Sequence, residues 1–391
     1  MGPKHSMNDG VQSDKGVKAR LAKKLRVGVL FGGQSEEHQV SMMSAKAVME
    51  SLVKGPYELV PIAISRDGTW FAGDSALALM GRAIGRPPAL FEGQGTMPER
   101  QFEPQTAVEV LQPGGMLGGV DVVIPVLHGP LGEDGTVQGL LELVGVPYVG
   151  SGVLGSALGM DKVAMKTVLG AHTIPQVAYH GFTRAQWKQD RDAVIAAIEK
   201  KLSYPIFVKP ANLGSSVGVS KADNVSELAT GIDCAAQYDR RLIVEEGVDA
   251  REFEVGILGF DPVEASVVGE VEVHGHEFYD YQAKYVDGST VMTIPADIPT
   301  EVAETIRQMA IRAFDALDLA GLARVDFFWE RGRGRVLLNE VNTLPGFTPY
   351  SMYPVLWEVS GVPYPELLER LIGLALERAG NGTPKKAGAK F

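Results

Sequence analysis

Apolar residues in this chain come in short runs punctuated by glycine-rich turns, and between those runs the spacing lengthens to a helical period. "LRVGVLFGG" is a continuous apolar run ending in glycines, which predicts a strand buried on both faces. An amphipathic helix is expected over residues 35–53. "ELVPIAI" and "VDVVIPVLHG" repeat the buried-strand signature, and "TVQGLLELVG" reads as a helix. Alternating strands and helices predict an α/β domain with a mostly parallel sheet, ending near "VPYVGSG". A second block follows: the helix "DKVAMKTVLG", the strand "YPIFVKP", a Gly/Ser turn, "GVSKA", another helix and the strand "RRLIVEE". Residues 247–250 read as a hinge. The third block holds "REFEVGILG", "VEASVVGEVEV", a long aromatic loop, the helix "TEVAETIRQMAIRAFDAL", a hairpin and a final helix. The expected division is 25–150, 151–247 and 248–380, with mobile tails at 1–24 and 381–391.

The hairpin, "RVDFFWERGRGRVLLNEVN", raises the first chemical question. Folded symmetrically about Arg333, it sets Asp326 opposite Glu340 and Arg324 opposite Asn342, all on one face. Like charges directly opposite each other destabilise a sheet. Either this face meets water, or something cationic sits between the acids. Asp326, Glu340 and Asn342 form an all-oxygen set suited to Mg²⁺, and Arg324 offers a cation for a phosphate or an oxyanion.

Composition narrows the choice. The chain has 391 residues, 45% hydrophobic and 22% charged, as expected of an ordinary globular protein. Its net charge of -11 argues against nucleic acid or an acidic membrane as the main partner, while leaving room for a small polyanion in a local basic pocket. Cys234 is the only cysteine. It excludes an internal disulfide framework, fits a reducing cytoplasm and is expected to be an inert core residue. The polar, Lys-rich start of the chain carries no signal-peptide pattern. "LVGVPYVGSGVLGSALGM" is uncharged and long, but Pro147 and its glycines break helical continuity; it reads as strand and loop rather than a membrane span.

Other stretches carry paired readings. Lys209 closes an apolar strand, and the glycines and serines after it, Ser215 and Ser216 among them, could turn backbone N–H groups toward phosphate or merely form a flexible turn. Lys162, near a helix start, could join a phosphate site or be solvated. Glu245, Glu246 and Glu252 could bond a ribose or face water. Glu37 sits in an ordinary-looking acidic helix start. His128 ends a strand predicted to be parallel, where open α/β sheets carry their ligand crevice, or belongs to a glycine turn. Tyr279, Tyr281, Lys284 and Tyr285 crowd a loop that reads as a lid or as a strand edge. The first strand–glycine–helix carries no G-x-G-x-x-G, and no G-x-x-x-x-G-K-[ST] is present in the sequence.

Taken together, the sequence resembles the D-alanine–D-alanine ligases of the ATP-grasp superfamily. "HGPLGEDGTVQG" and "GLARVDFFWERGRGRVLLNEVNTLPG" are similar to that family's two signature stretches. "FGGQSEEHQVS", "MDK", "KPANLGSSVGVS", "VEEGVDAREFEV", "YDYQAKY" and "PGFTPYSMYP" follow its remaining landmarks in order. The resemblance covers roughly residues 25 to 375. It implies a three-domain α/β (α+β overall) architecture with ATP held between two antiparallel sheets, and ligation of two D-alanines for peptidoglycan through an acyl phosphate.

The resemblance also implies roles for particular residues. Asp326, Glu340 and Asn342 would hold two Mg²⁺, with Mn²⁺ as a possible substitute. Lys162, Lys209 and Lys284 would contact phosphates, beneath a flap at Ser215 and Ser216. Glu245 and Glu252 would meet adenine and ribose. Glu37 would take the first D-alanine's ammonium and His128 would neighbour its carboxylate. Ser215 and Tyr285 would bond with Glu37, and Arg324 and the Gly346 N–H would stabilise the oxyanion. Ser351 and Met352 would hold the second carboxylate. A homodimer is implied as well. A D-alanine–D-lactate ligase is the nearest rival; those relatives tend to carry histidine where Tyr285 stands. A dinucleotide-dependent oxidoreductase is disfavoured because the first strand–glycine–helix lacks the glycine fingerprint.

Overall fold

The protein is described by a computed structural model over residues 24–84, 119–273 and 290–382. Its first part runs β1 (Leu25–Gly32), α1 (His38–Leu52), β2 (Tyr57–Ile64), β3 (Trp70–Ala72), α2 (Asp74–Ile84), β4 (Val122–Leu127) and α3 (Thr136–Val144). The sheet order is β3-β2-β1-β4, with β1 parallel to both neighbours and β3 antiparallel at the edge. Successive β1 side chains serve two cores. Val27, Val29 and Phe31 pack toward Met42 and Met49 of α1, whereas Leu30 joins Ile62, Val123 and Leu141 on the other face. Burial on both faces is why these strands are apolar throughout. Helix α1 starts later than expected, because the Ser35 hydroxyl donates to the His128 carbonyl at 2.6 Å instead of capping.

Next come α4 (Val153–Met160) and α5 (Lys162–Ala171), then β5 (Tyr179–Thr183), α6 (Arg184–Gln189), α7 (Arg191–Glu199), β6 (Ile206–Pro210), β7 (Ser220–Ala222), α8 (Val225–Tyr238) and β8 (Arg241–Glu246). Helix α4 corrects the expectation of strand and loop. Its glycines serve close packing: a Cβ on Gly155 would lie 2.5 Å from the Asp318 carbonyl oxygen, and one on Gly159 2.5 Å from the Thr343 side chain. The β strands here form an antiparallel sheet, β5-β8-β6-β7. Cys234 is exposed on α8 rather than buried.

The third part contains β9 (Ala250–Gly259), β10 (Val263–Val273), β11 (Thr290–Thr293), α9 (Thr300–Ala316), β12 (Gly321–Glu330), β13 (Val336–Asn342), α10 (Met352–Val359) and α11 (Tyr364–Gly382). Its five strands are ordered β11-β10-β9-β12-β13, all antiparallel. Met165 and Leu169 of α5 share a core with this sheet and α9. Tyr353, Trp357 and Leu368 instead join the core under β1 and α1, binding the first and third parts together.

The hairpin pairs as the sequence predicts, Asp326 with Glu340 and Arg324 with Asn342. The register then slips, so that Phe327 faces Leu338 and Asn339 is left over as a bulge.

Candidate active site

Between the two antiparallel sheets, and closed at one end by the first part, lies a cavity of about 1300 Å³. Three groups of charged side chains surround it.

On the five-stranded sheet, register pairing sets Glu254, Asp326 and Glu340 side by side across β9, β12 and β13. Arg324 answers this row of acids. Its Nε and Nη2 donate to Asp326 at 2.8 and 2.7 Å, and its Nε also lies 2.8 Å from Glu254. Asn342 donates its side-chain N–H to Asp326 at 3.0 Å. Lys162 stands 3.6 Å from Glu340 and donates to the Leu213 carbonyl at 2.9 Å. These contacts offset the repulsion that three adjacent carboxylates would otherwise suffer. Arg324, Asp326, Glu340 and Asn342 all line the cavity.

On the four-stranded sheet the charge ratio is reversed. Glu245, 3% exposed, lies between Lys209 at 2.6 Å and Lys166 at 3.0 Å. Burial alone would raise the Glu245 carboxyl, but the two ammonium groups outweigh it and bring its pKa down to about 2. Burial also opposes the Lys209 cation, and the charges of Glu245 and Glu340 more than compensate, raising its pKa. Glu245 is therefore no solvated strand end. Glu252 lines the same cavity.

The first part supplies the end wall. One Glu37 oxygen accepts from the Ser215 hydroxyl. The other faces Gly129 and Gly214, where an added Cβ would sit 3.1 and 3.2 Å from it. Ser215 and Ser216 hold φ of 51° and 57°, left-handed conformations that cost L-residues about 1–2 kcal/mol each. His128 is 5% exposed, with its Nδ1 3.0 Å from the Leu344 carbonyl and 3.5 Å from Glu133. Its Nε2 has no hydrogen-bond partner among the described residues, although His128 lines the cavity. Burial disfavours the imidazolium, yet hydrogen bonding and charge from Glu133, with Glu37 behind, raise its pKa above the ordinary value. Gly346 abuts Ser351, whose hydroxyl pairs with Thr348 at 2.8 Å, and Met352 opens α10 beside them. Lys284 and Tyr285 lie outside the described residues.

The sequence profile of the D-ala D-ala ligase N-terminus matches residues 26–151, and that of the D-ala D-ala ligase C-terminus matches residues 168–373. The chain belongs to the D-alanine–D-alanine ligase family. A D-alanine–D-alanine ligase of Geobacillus kaustophilus is 50% identical over 359 residues, 91% of this chain and 95% of that protein. One from Acetivibrio thermocellus is 46% identical over 92% of this chain and 97% of its own. Among solved structures, the D-alanine–D-alanine ligase of Coxiella burnetii has a TM-score of 0.74 at 34% identity, covering 92% of this chain and 96% of that one. The VanG D-Ala:D-Ser ligase of Enterococcus faecalis has a TM-score of 0.75 at 34% identity, covering 90% and 100%.

A ligase of this family uses ATP, and its oxygen donors can be tested for a metal. Two carboxylates and a carboxamide on one cavity-lining face fit a hard divalent cation. Mg²⁺ keeps waters and substrate phosphates in its shell, so a short set of protein oxygens is enough to hold it. Three members of these charge groups went unnoticed in the sequence. Glu254 follows Glu252 by two positions, and Lys166 follows Lys162 by four, one helix turn on the same face. Glu133 stands inside "HGPLGEDG" itself. No helix among the described residues is long and apolar enough to cross a membrane.

Proposed function

We infer that this protein joins two D-alanine molecules into D-alanyl-D-alanine for peptidoglycan precursors, converting ATP to ADP and phosphate. The observation that carries this reading is the juxtaposition, in one cavity, of a cation-rich cluster under Lys209 and an acid row at Asp326 and Glu340. In the proposed sequence, a carboxylate oxygen of the first D-alanine attacks the γ-phosphorus and ADP leaves. The second D-alanine's amine attacks the resulting acyl carbon, and phosphate leaves the tetrahedral intermediate as the amine loses its proton.

Lys162 and Lys209 hold the phosphates, with Ser216 in the loop above them. Glu245, which also holds Lys209, and Glu252 meet the adenine and the ribose. Glu37 binds the first ammonium, while the unpartnered Nε2 of His128 supports a contact to that substrate's carboxylate. Arg324, fixed by Glu254 and Asp326, and the Gly346 N–H stabilise developing oxyanion charge. Ser351 and Met352 bound the second substrate. Asp326, Glu340 and Asn342 would hold two Mg²⁺, or Mn²⁺ in substitution, whose chemistry is to neutralise the triphosphate.

The same reading includes a cytoplasmic location, where ATP is supplied, and a homodimer. Exposed Leu143 on α3 and Val153 and Leu154 on the adjoining α4 support a contact surface, and sedimentation would measure it. The decisive experiment follows phosphate release with D-alanine, L-alanine, D-serine or D-lactate, with and without Mg²⁺, and weighs the product. Mg²⁺-dependent release with D-alanine and the mass of the dipeptide are expected. Silence with D-alanine, or preferential product from D-lactate, defeats the reading.

A further inference from the structure

Lys166 is fully buried, and it is not part of the cavity wall. A buried lysine has a strong physical cost, so its contacts call for a reason. It projects from α5 one turn beyond Lys162 and makes two polar contacts: the Glu245 carboxylate at 3.0 Å, and the backbone carbonyl of Asn339 at 3.3 Å. Its ammonium also sits 5.8 Å from the centre of the Tyr179 ring. Asn339 is the bulged residue of β13, which β12 skips in its pairing. The bulge thus turns a ladder irregularity into an anchor point for a side chain from another layer.

Both of these partners line the cavity, and each leads to a further charged group there. Glu245 holds Lys209 on its other oxygen, and Asn339 precedes Glu340. Lys209 and Glu340 both face the cavity, from opposite sheets. We propose that Lys166 is a positioning residue for the nucleotide: from beneath the floor it clamps Glu245 and the β13 bulge, fixing Lys209 against Glu340. Without it, Lys209 is the one lysine among the described residues left on Glu245. The lysine is then drawn into a neutral pair, and the cationic excess beneath the phosphates is lost.

This inference rests on the ATP-site reading above. The test compares wild type with Lys166→Met, Glu245→Gln and the double variant, by steady-state kinetics and by calorimetry of Mg²⁺·ADP binding. Lys166→Met is expected to raise the KM for ATP and the Kd for ADP about tenfold, with kcat and the KM for D-alanine within about threefold. In the Glu245→Gln background the same change should add less than about twofold, because the route through Glu245 is already cut. A lowered melting temperature with an unchanged KM for ATP overturns the proposal, as does an effect that multiplies fully in the double variant. Should Lys166→Met fail to fold, Lys166→Arg carries the test. It keeps the charge but displaces the contact, so an ADP affinity about threefold weaker is expected and an unaltered one overturns the proposal. Wild type that releases no phosphate from ATP and D-alanine sinks the functional reading instead; an active wild type with indifferent variants sinks only this inference.

Discussion

The two charge clusters that face each other across the cavity use the same residue types in opposite ratios. At the four-stranded sheet Lys209 of β6 and Lys166 of α5 enclose one carboxylate, Glu245. On the five-stranded sheet one arginine serves two carboxylates, Glu254 and Asp326, with Glu340 next in the row. The first leaves an excess of positive charge and the second an excess of negative charge. A polyanion carrying divalent cations satisfies both at once, its phosphates toward the lysines and its metals toward the acids. The lesson is that charge ratio, more than the presence of charged residues, tells the two halves of such a site apart.

The sharpest way to break the comparison is at Arg324, the guanidinium that bridges Glu254 and Asp326. Arg324→Ala is expected to lower kcat by about 10²–10³-fold, from loss of one preorganised donor, read by phosphate release. A variant that turns over normally while folded removes Arg324 from the chemistry. Next, Glu245→Ala strands the buried Lys166 and the half-buried Lys209 and should destabilise the fold by about 3–5 kcal/mol, measured by denaturant titration. An equal effect of Glu252→Ala would erase the distinction between the buried Glu245 and the half-buried Glu252.

The same glutamate gives a pH signature. Its carboxyl has an ordinary pKa of 4.5 and about 2 in the fold, so its stabilisation is present above 4.5 and lost as pH falls toward 2. Glu245→Gln should flatten that portion of the melting-temperature profile. His128 has the opposite sign. Its pKa is raised from 6.5, so its contribution is full below that value and lost as pH rises through the shifted pKa; melts of wild type and His128→Gln from pH 6 to 9 would trace the difference. The smallest effect is expected at the exposed Arg331–Asp249 pair on the hairpin tip. Arg331→Ala should leave melting temperature and turnover unchanged, separating surface pairing from the two clusters.

Much of this was legible in the sequence because alternation in strands is strict. The symmetric hairpin fixed which side chains of Arg324, Asp326, Glu340 and Asn342 share a face, and the parallel run around Gly28 announced itself by unbroken apolarity. The slip at Asn339 was not legible, since a single bulged residue changes no apolar pattern. Nor was the burial of Glu245 and Lys166. A charged residue at a strand end or on a helix normally signals solvent, and only the layer packed above it decides otherwise. Helix α4 was hidden by glycines whose purpose, contact with Asp318 and Thr343, lies far along the chain.

The bond between Ser215 and Glu37 has a thermodynamic corollary. One carboxylate serves as the catch for the Ser215 loop and, in the proposed chemistry, where that loop covers the triphosphate, also as the receptor for an amino acid's ammonium. Two ligands that each bias the same catch must bias each other, and by the same factor in either direction. Occupancy by nucleotide would then tighten the hold on the first amino acid, and a half-filled enzyme would be the less committed species.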